Sequence, residues 1–168
     1  MTQSAQPASV WLTPKTHQRL SAELDDLRGP RRQEVIERIA AARDEGDLKE
    51  NGGYHAAKDE QGKIEASIRQ LEEMLETAVT DSPADDGIVS PGKLVTYRYA
   101  GDDEDERFLM GAREIEDDYE DQDFEVFSPQ SPLGEALLGA HKGDTVEFVA
   151  PNGRTQRIEI RDAVPFTG

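Results

Sequence analysis

Residues 45–61 read EGDLKENGGYHAAKDEQ, and they join two apolar stripes that neither flank can bury by itself. On the C-terminal side the stripe is Tyr54, Ala57, Gln61, Ile64, Ile68, Leu71, Leu75 and Ala78, in steps that alternate three and four. Such spacing puts every member on one side of a helix and is the pattern of a coiled-coil seam. Lys58, Asp59, Glu60, Lys63, Glu65, Arg69, Glu72, Glu73 and Glu76 fall between the seam positions as a solvated face. At ~1.5 Å per residue the arm spans roughly 37 Å. On the N-terminal side Leu20, Leu24 and Leu27 are followed by Val35, Ile39 and Ala42, one residue out of phase. The slip falls at Gly29-Pro30, where the missing proline N–H predicts a kink or short break. Thr13 is the expected N-cap of this arm, with Pro14 at its first helical position. The connection is short and rich in glycine (Gly46, Gly52, Gly53), so the two arms pair antiparallel.

The connecting segment carries two acids, Asp47 and Glu50, whose D-x-x-E spacing admits two readings. It fits a capping box that starts the second arm. It also fits two outward carboxylates that help hold a divalent cation. Two carboxylates cannot fill an octahedral Mg²⁺ shell, so the second reading requires further ligands from a partner or a substrate phosphate.

Beyond the hairpin, residues 81–87 (DSPADDG) read as a linker, and the remainder as a small, mostly antiparallel sheet. Its expected strands are Lys93–Tyr99, Arg107–Arg113, Asp123–Phe127, Thr145–Val149 and Arg157–Val164. Pro151-Asn152-Gly153 marks the last hairpin turn. Ser131 and Pro132 open one short helix over SPLGEALL. The expected organisation is thus α+β: a disordered tail (1–10), an antiparallel α-helical coiled-coil hairpin with an acidic tip (11–80), the linker (81–87), and a sheet domain (88–168).

Charge excludes some functions. The net charge of −17 is uneven: residues 1–80 hold 15 acids and 11 bases, whereas residues 81–168 hold 21 acids and 8 bases. No basic footprint exists that would displace counterions from a duplex, so independent DNA binding is not expected. The 13 acids between Asp102 and Glu125 read as solvated loops and sheet edges, without the spacing of an EF-hand. There is no cysteine, and His17, His55 and His141 lack metal-ligand spacing. MTQSAQPASV has neither a basic start nor an apolar core, and no run reaches membrane-spanning length. A soluble, monomeric, cytoplasmic protein is expected.

GDLKEN followed by YHAAKDEQG between two heptad arms resembles the Gre transcript-cleavage factors of bacterial RNA polymerase, nearest the GreA type. WLT at residues 11–13, SPLGEALLGAHKGD and PNG match in the same order, so the resemblance runs from about residue 11 to the end. It implies that the C-terminal domain is FKBP-like and docks on the rim of the polymerase's secondary channel through Ser131, Pro132, Leu133 and Gly134. It implies that the hairpin enters that channel. There Asp47 and Glu50 would share a weakly held Mg²⁺ with the polymerase, and Arg43 and Lys58 would contact the extruded nascent RNA near its 3′ end. The protein alone would catalyse nothing; it would activate cleavage of backtracked RNA by the polymerase and so rescue arrested complexes. The alternative on the same scaffold is a channel-binding inhibitor that does not stimulate cleavage. A third reading, an adaptor coiled coil with D-x-x-E as a cap only, predicts no affinity for the polymerase. One departure stands out: Gly52-Gly53 occupies the place of an Ala-Glu pair, which loosens the first turn of the second arm by about 1–2 kcal/mol.

Overall fold

The computed structural model describes residues 9–168. It divides into two compact units, residues 17–77 and the combination of the N-terminal segment to Thr16 with residues 78–168. The expected disordered tail lies outside the described residues except for Ser9 and Val10, and Val10 is in a strand.

The helical unit is built on a first arm that comprises α1 (Pro14–Asp26), a π-helical turn (Leu27–Arg31) and α2 (Arg32–Asp44). The second arm is a single helix, α3 (Gly52–Glu76). Thr13 caps α1 as the Thr-Pro pair predicts, its hydroxyl accepting the Thr16 N–H at 3.0 Å. The kink or break expected at Gly29-Pro30 is instead the π turn, and both flanking residues keep right-handed helical dihedrals. The physical reason is economical. A π turn inserts one extra residue, so it absorbs the one-residue phase slip, and its wider ladder accommodates a proline without an N–H. Leu24 before the turn, Leu27 at its start, and Val35 and Ile39 after it therefore face the same partners, Ala57, Ile64 and Ile68 of α3. Tyr54, Leu71 and Leu75 flank that cluster, whereas Ala78, expected at the end of the seam, has left the helix.

Register between the arms is reinforced by Arg28–Glu72 at 2.7 Å, by Arg38–Glu60, and by Arg32 on Glu65. The last pair is bidentate, with both N–H···O distances 2.8 Å. The hydrogen bond from Arg32 holds the Glu65 carboxyl below its ordinary range. All three pairs are solvated, so they select register more than they add stability. Gly62 lies inside α3, and an added Cβ there meets nothing within 4 Å. Gly62→Ala is therefore expected to stabilise the hairpin by about 1 kcal/mol, read as a rise of a few degrees in its unfolding midpoint. An unchanged or lowered midpoint would contradict the open surface at that position.

The second unit contains two sheets. The small one pairs β1 (Val10–Trp11) with β2 (Ala78–Val79) in parallel. The large one comprises β3 (Lys93–Tyr99), β4 (Glu106–Met110), β5 (Glu125–Phe127), β6 (Thr145–Val149) and β7 (Thr155–Pro165), in the order β5-β4-β3-β7-β6. Three of its four strand pairings are antiparallel, as expected, and the fourth makes the sheet mixed, because β5 runs parallel to β4 at one edge. The crossover that parallel pairing needs runs through residues 111–124 and includes a 3₁₀ turn at Arg113–Asp118, within the acidic stretch read as loop. Val95, Tyr97, Phe108, Met110, Phe148, Ile158 and Ile160 form the core with Leu133 and Leu137 of the one short helix, α4 (Pro132–Leu137). The α+β class holds. Among the described residues, no helix is long and apolar enough to cross a membrane.

The linker is pinned rather than loose at its end. The Lys93 side chain is fully buried, and its ammonium donates to Asp86 Oδ1 at 2.7 Å and to the Ile88 carbonyl at 2.8 Å. The same Asp86 oxygen accepts the Ile88 N–H at 3.1 Å. These donors, Lys93 first, hold the Asp86 carboxyl below its ordinary value of 3.8. A carboxyl depressed by folding adds stability above its unfolded pKa, and that contribution disappears as the pH falls through the folded value. Thermal unfolding of the wild type should therefore lose stability on acidification below about pH 4. Lys93→Met should flatten that limb, and superimposable acid limbs in the two proteins would refute the latch.

Candidate acidic tip

The arms meet at residues 45–50, and the turn is held by few bonds. Glu45 N–H donates to the Ala42 carbonyl at 3.2 Å, continuing α2 for one step. Gly46 then takes φ +120°, where a side chain would be strained, and the chain reverses. Asp47 follows at once. Its Oδ1 accepts the Lys49 N–H at 3.0 Å, an Asx turn that uses one oxygen and leaves the other to solvent. Glu50 is exposed, as are all residues from Arg43 to Glu50.

The capping-box reading of Asp47 and Glu50 fails. The N-cap of α3 is Asn51, whose side-chain Oδ1 accepts the Tyr54 N–H at 3.0 Å. Its Nδ2 donates to the Ala42 carbonyl on the opposite arm at 2.8 Å. Both acids consequently lie outside either helix. Neither joins an ion pair among the described residues, and the arginines that pair across the arms, with Glu60, Glu65 and Glu72, lie further down the hairpin. Sequence reasoning passed over Asn51 because D-x-x-E offered a fuller cap signature. The available signal was an asparagine directly before two glycines and three residues before the first aromatic of the seam.

Arg43 and Lys58 are brought together. With Ile36, Ile39, Ala40 and Gln61 they line a shallow depression of about 230 Å³ on the hairpin. The Arg43 guanidinium lies 5.9 Å from the centre of the Tyr54 ring, and Lys58 Nζ donates to Gln61 Oε1 at 3.2 Å. Tyr54 also meets His55 edge to face at 5.5 Å. The tip thus presents two carboxylates on its turn and two cations beside the adjoining depression, with the Tyr54 ring against Arg43.

As a cation site the tip is incomplete. Among the described residues, no group of three or more His, Cys, Asp or Glu side chains converges. Two hard oxygen donors on a solvated turn suit Mg²⁺ chemically, but they leave most of its octahedral shell to water or to another molecule.

In the second unit, the segment expected to face a partner divides sharply. Ser131 caps α4: its Oγ accepts the Gly134 N–H at 3.1 Å and donates to the Ser128 carbonyl at 2.7 Å. Leu133 is in the core and Gly134 is buried. Only Pro132 and, in part, Ser131 are accessible to another surface.

Two family models match, "Transcription elongation factor, N-terminal" over residues 10–79 and "Transcription elongation factor, GreA/GreB, C-term" over residues 84–163. The chain is 48% identical to the transcription elongation factor GreA of Streptomyces coelicolor, with 100% of both chains covered. It is 50% identical to that of Saccharopolyspora erythraea, covering 95% of this chain and 96% of the relative. Among solved structures it is similar to GreA factor homolog 1 of Thermus thermophilus, with 26% identity, 92% and 98% of the two chains covered, and a TM-score of 0.41.

Proposed function

The chain belongs to the GreA/GreB family of transcription elongation factors, and on that premise we propose that it stimulates RNA polymerase to cleave its own backtracked transcript. In this reading the hairpin enters the secondary channel of the polymerase and delivers Asp47 and Glu50 to the catalytic centre. The observation that carries it is the placement of both carboxylates on an exposed turn, outside the helices and without an ion pair among the described residues, while a different residue caps α3. Acids consumed by capping would have had no capacity left for a ligand.

Each part of the hairpin has a role on this account. The two carboxylates supply hard oxygen ligands, and the polymerase and the RNA phosphate complete the shell. A shared Mg²⁺ there would activate water and stabilise charge on the scissile phosphate. Arg43 and Lys58 offer charge to the phosphates of the extruded RNA from one side of the hairpin, beside the apolar patch of Ile36, Ile39 and Ala40. The seam and the cross-arm pairs keep the turn from collapsing under the repulsion of its own acids. The second unit docks at the channel rim, with Pro132 and Ser131 as the accessible part of the α4 segment. On this account the tip supplies ligands and the polymerase supplies the rest of the site, so the protein acts as an activator of the polymerase.

The test uses a stalled, backtracked polymerase complex carrying RNA labelled at its 5′ end. Addition of the protein with Mg²⁺ should shorten the RNA and leave a 3′ end that extends again when nucleotides are supplied. The protein without polymerase should leave the RNA intact. Slowed synthesis with no shortening would identify a channel-occupying inhibitor and overturn the reading, and so would an absence of polymerase binding.

A further inference from the structure

We propose that Asn51 is the positioning residue of the acidic tip, whose carboxamide fixes where the Asp47 and Glu50 carboxylates are presented. This inference rests on the functional reading above. The turn is poor in restraints of its own. Gly46 bounds it on one side and Gly52-Gly53 on the other, so no side chain limits the backbone at either end. Within it, Asp47 makes its local Asx turn, and His55 Nε2 approaches the Lys49 carbonyl at 3.4 Å, a long contact. Among the described residues, Asn51 supplies the one side-chain hydrogen bond that ties the two arms together at the turn, beside a looser approach of Arg43 to the Tyr54 ring at 5.9 Å.

Its two polar ends do different work. Oδ1 accepts the Tyr54 N–H at 3.0 Å and starts α3, and Nδ2 donates to the Ala42 carbonyl at 2.8 Å and anchors that start to the end of α2. The Asn51 carbonyl in turn accepts the His55 N–H at 3.2 Å, the first bond of the helix. Ala42 is buried in the seam, so the anchor point is rigid. The residue is half-buried, which protects both bonds from exchange with water. Glu50 is bonded directly to Asn51 and Asp47 lies four positions earlier, so the clamp sets the span across which both acids are held. Serine and aspartate also cap helices well, but aspartate has no donor, and a serine hydroxyl, on a side chain one atom shorter than the carboxamide, falls short of the Ala42 carbonyl when it caps Tyr54. The clamp therefore requires a carboxamide where the cap does not.

That distinction supplies the experiment. Asn51→Ser keeps the cap and removes the cross-arm bond without adding charge. In the free full-length protein, hydrogen–deuterium exchange of the amides between Glu45 and Gly53 is expected to accelerate about tenfold, with α3 beyond Ala57 unchanged. On the backtracked complex, Asn51→Ser is expected to bind polymerase within threefold of wild type. It should require at least fivefold more Mg²⁺ for half-maximal cleavage and cleave at least tenfold more slowly at a fixed Mg²⁺ concentration. Wild-type cleavage at every Mg²⁺ concentration would overturn the inference. So would unchanged exchange at the turn, since any cleavage defect would then arise by another route, and so would equal losses of binding and cleavage, which would mark a merely structural role. If the wild type itself fails to shorten RNA in the same assay, the functional reading falls instead.

Discussion

Replacing Asp47 and Glu50 by Asn and Gln together is expected to reduce stimulated RNA cleavage by about 100-fold or more, with polymerase binding unchanged within threefold. The separation follows from where the two side chains stand. Asp47 contributes one local bond, from the Lys49 N–H to Oδ1, and Asn preserves that acceptor. Glu50 is exposed, and α3 is capped by Asn51 whatever occupies position 50. The double variant should therefore unfold at the wild-type temperature, within about 2 °C, because surface changes away from caps and cores cost under about 0.5 kcal/mol. What disappears is negative charge. A neutral amide is a weak ligand for a hard divalent ion, and each tenfold in rate corresponds to about 1.4 kcal/mol of transition-state stabilisation. The measurement is the rate of shortening of labelled RNA in a backtracked complex at saturating factor, with a competition assay for polymerase binding. Cleavage by the double variant at the wild-type rate would remove the tip acids from the mechanism. Loss of binding in parallel would relocate them to docking.

The features that could be read from sequence are those in which one physical demand dominates. The α3 seam is legible because burial against the other arm imposes a period on every third or fourth residue from Tyr54 to Leu75. The irregularity of the first arm is legible too, since Leu27 and Val35 are out of phase, but its form is not. A kink, a break and a π turn all answer a proline beside a glycine, and the choice depends on whether the stripes on both sides must meet the same partner. Here they do, and the helix continues. At the tip two caps competed. Asp47 with Glu50 has the stronger local signature, yet Asn51 alone can reach both Tyr54 N–H and the Ala42 carbonyl, a contact nine positions distant that no local motif encodes. The parallel β5 edge was hidden for a similar reason. Strand direction depends on a crossover through residues 111–124, with its 3₁₀ turn at Arg113–Asp118, whose acidic sequence reads equally well as solvated loop.

Gly134→Ala is expected to unfold the second unit at ordinary temperatures or to destabilise it by about 3 kcal/mol or more. An ideal Cβ at this position would stand 2.0 Å from the Ser128 carbonyl oxygen and 2.8 Å from Ser131 Oγ. The obstacle is backbone, and it is held. Ser131 N–H and Ser131 Oγ both donate to that carbonyl, at 3.1 and 2.7 Å. Relief would require moving either the turn from Ser128 to Ser131 or the start of α4. Moving α4 would withdraw Leu133 and Leu137 from the core beside Phe108 and Ile158. Gly139→Ala is the matched control: its φ of +82° imposes left-handed strain, but its Cβ meets nothing within 4 Å. It should cost about 1–2 kcal/mol. Thermal unfolding distinguishes the two, and a Gly134→Ala protein as stable as Gly139→Ala would show that the Ser128 carbonyl does not approach α4 as described. The result also decides how the SPLG segment is to be understood. Loss of polymerase binding in Gly134→Ala would follow from collapse of the core beneath α4 and would say nothing of contact. Pro132→Ala changes an exposed side chain above an intact cap, so a binding defect in that variant, with unfolding at the wild-type temperature, is what would place this surface against the polymerase.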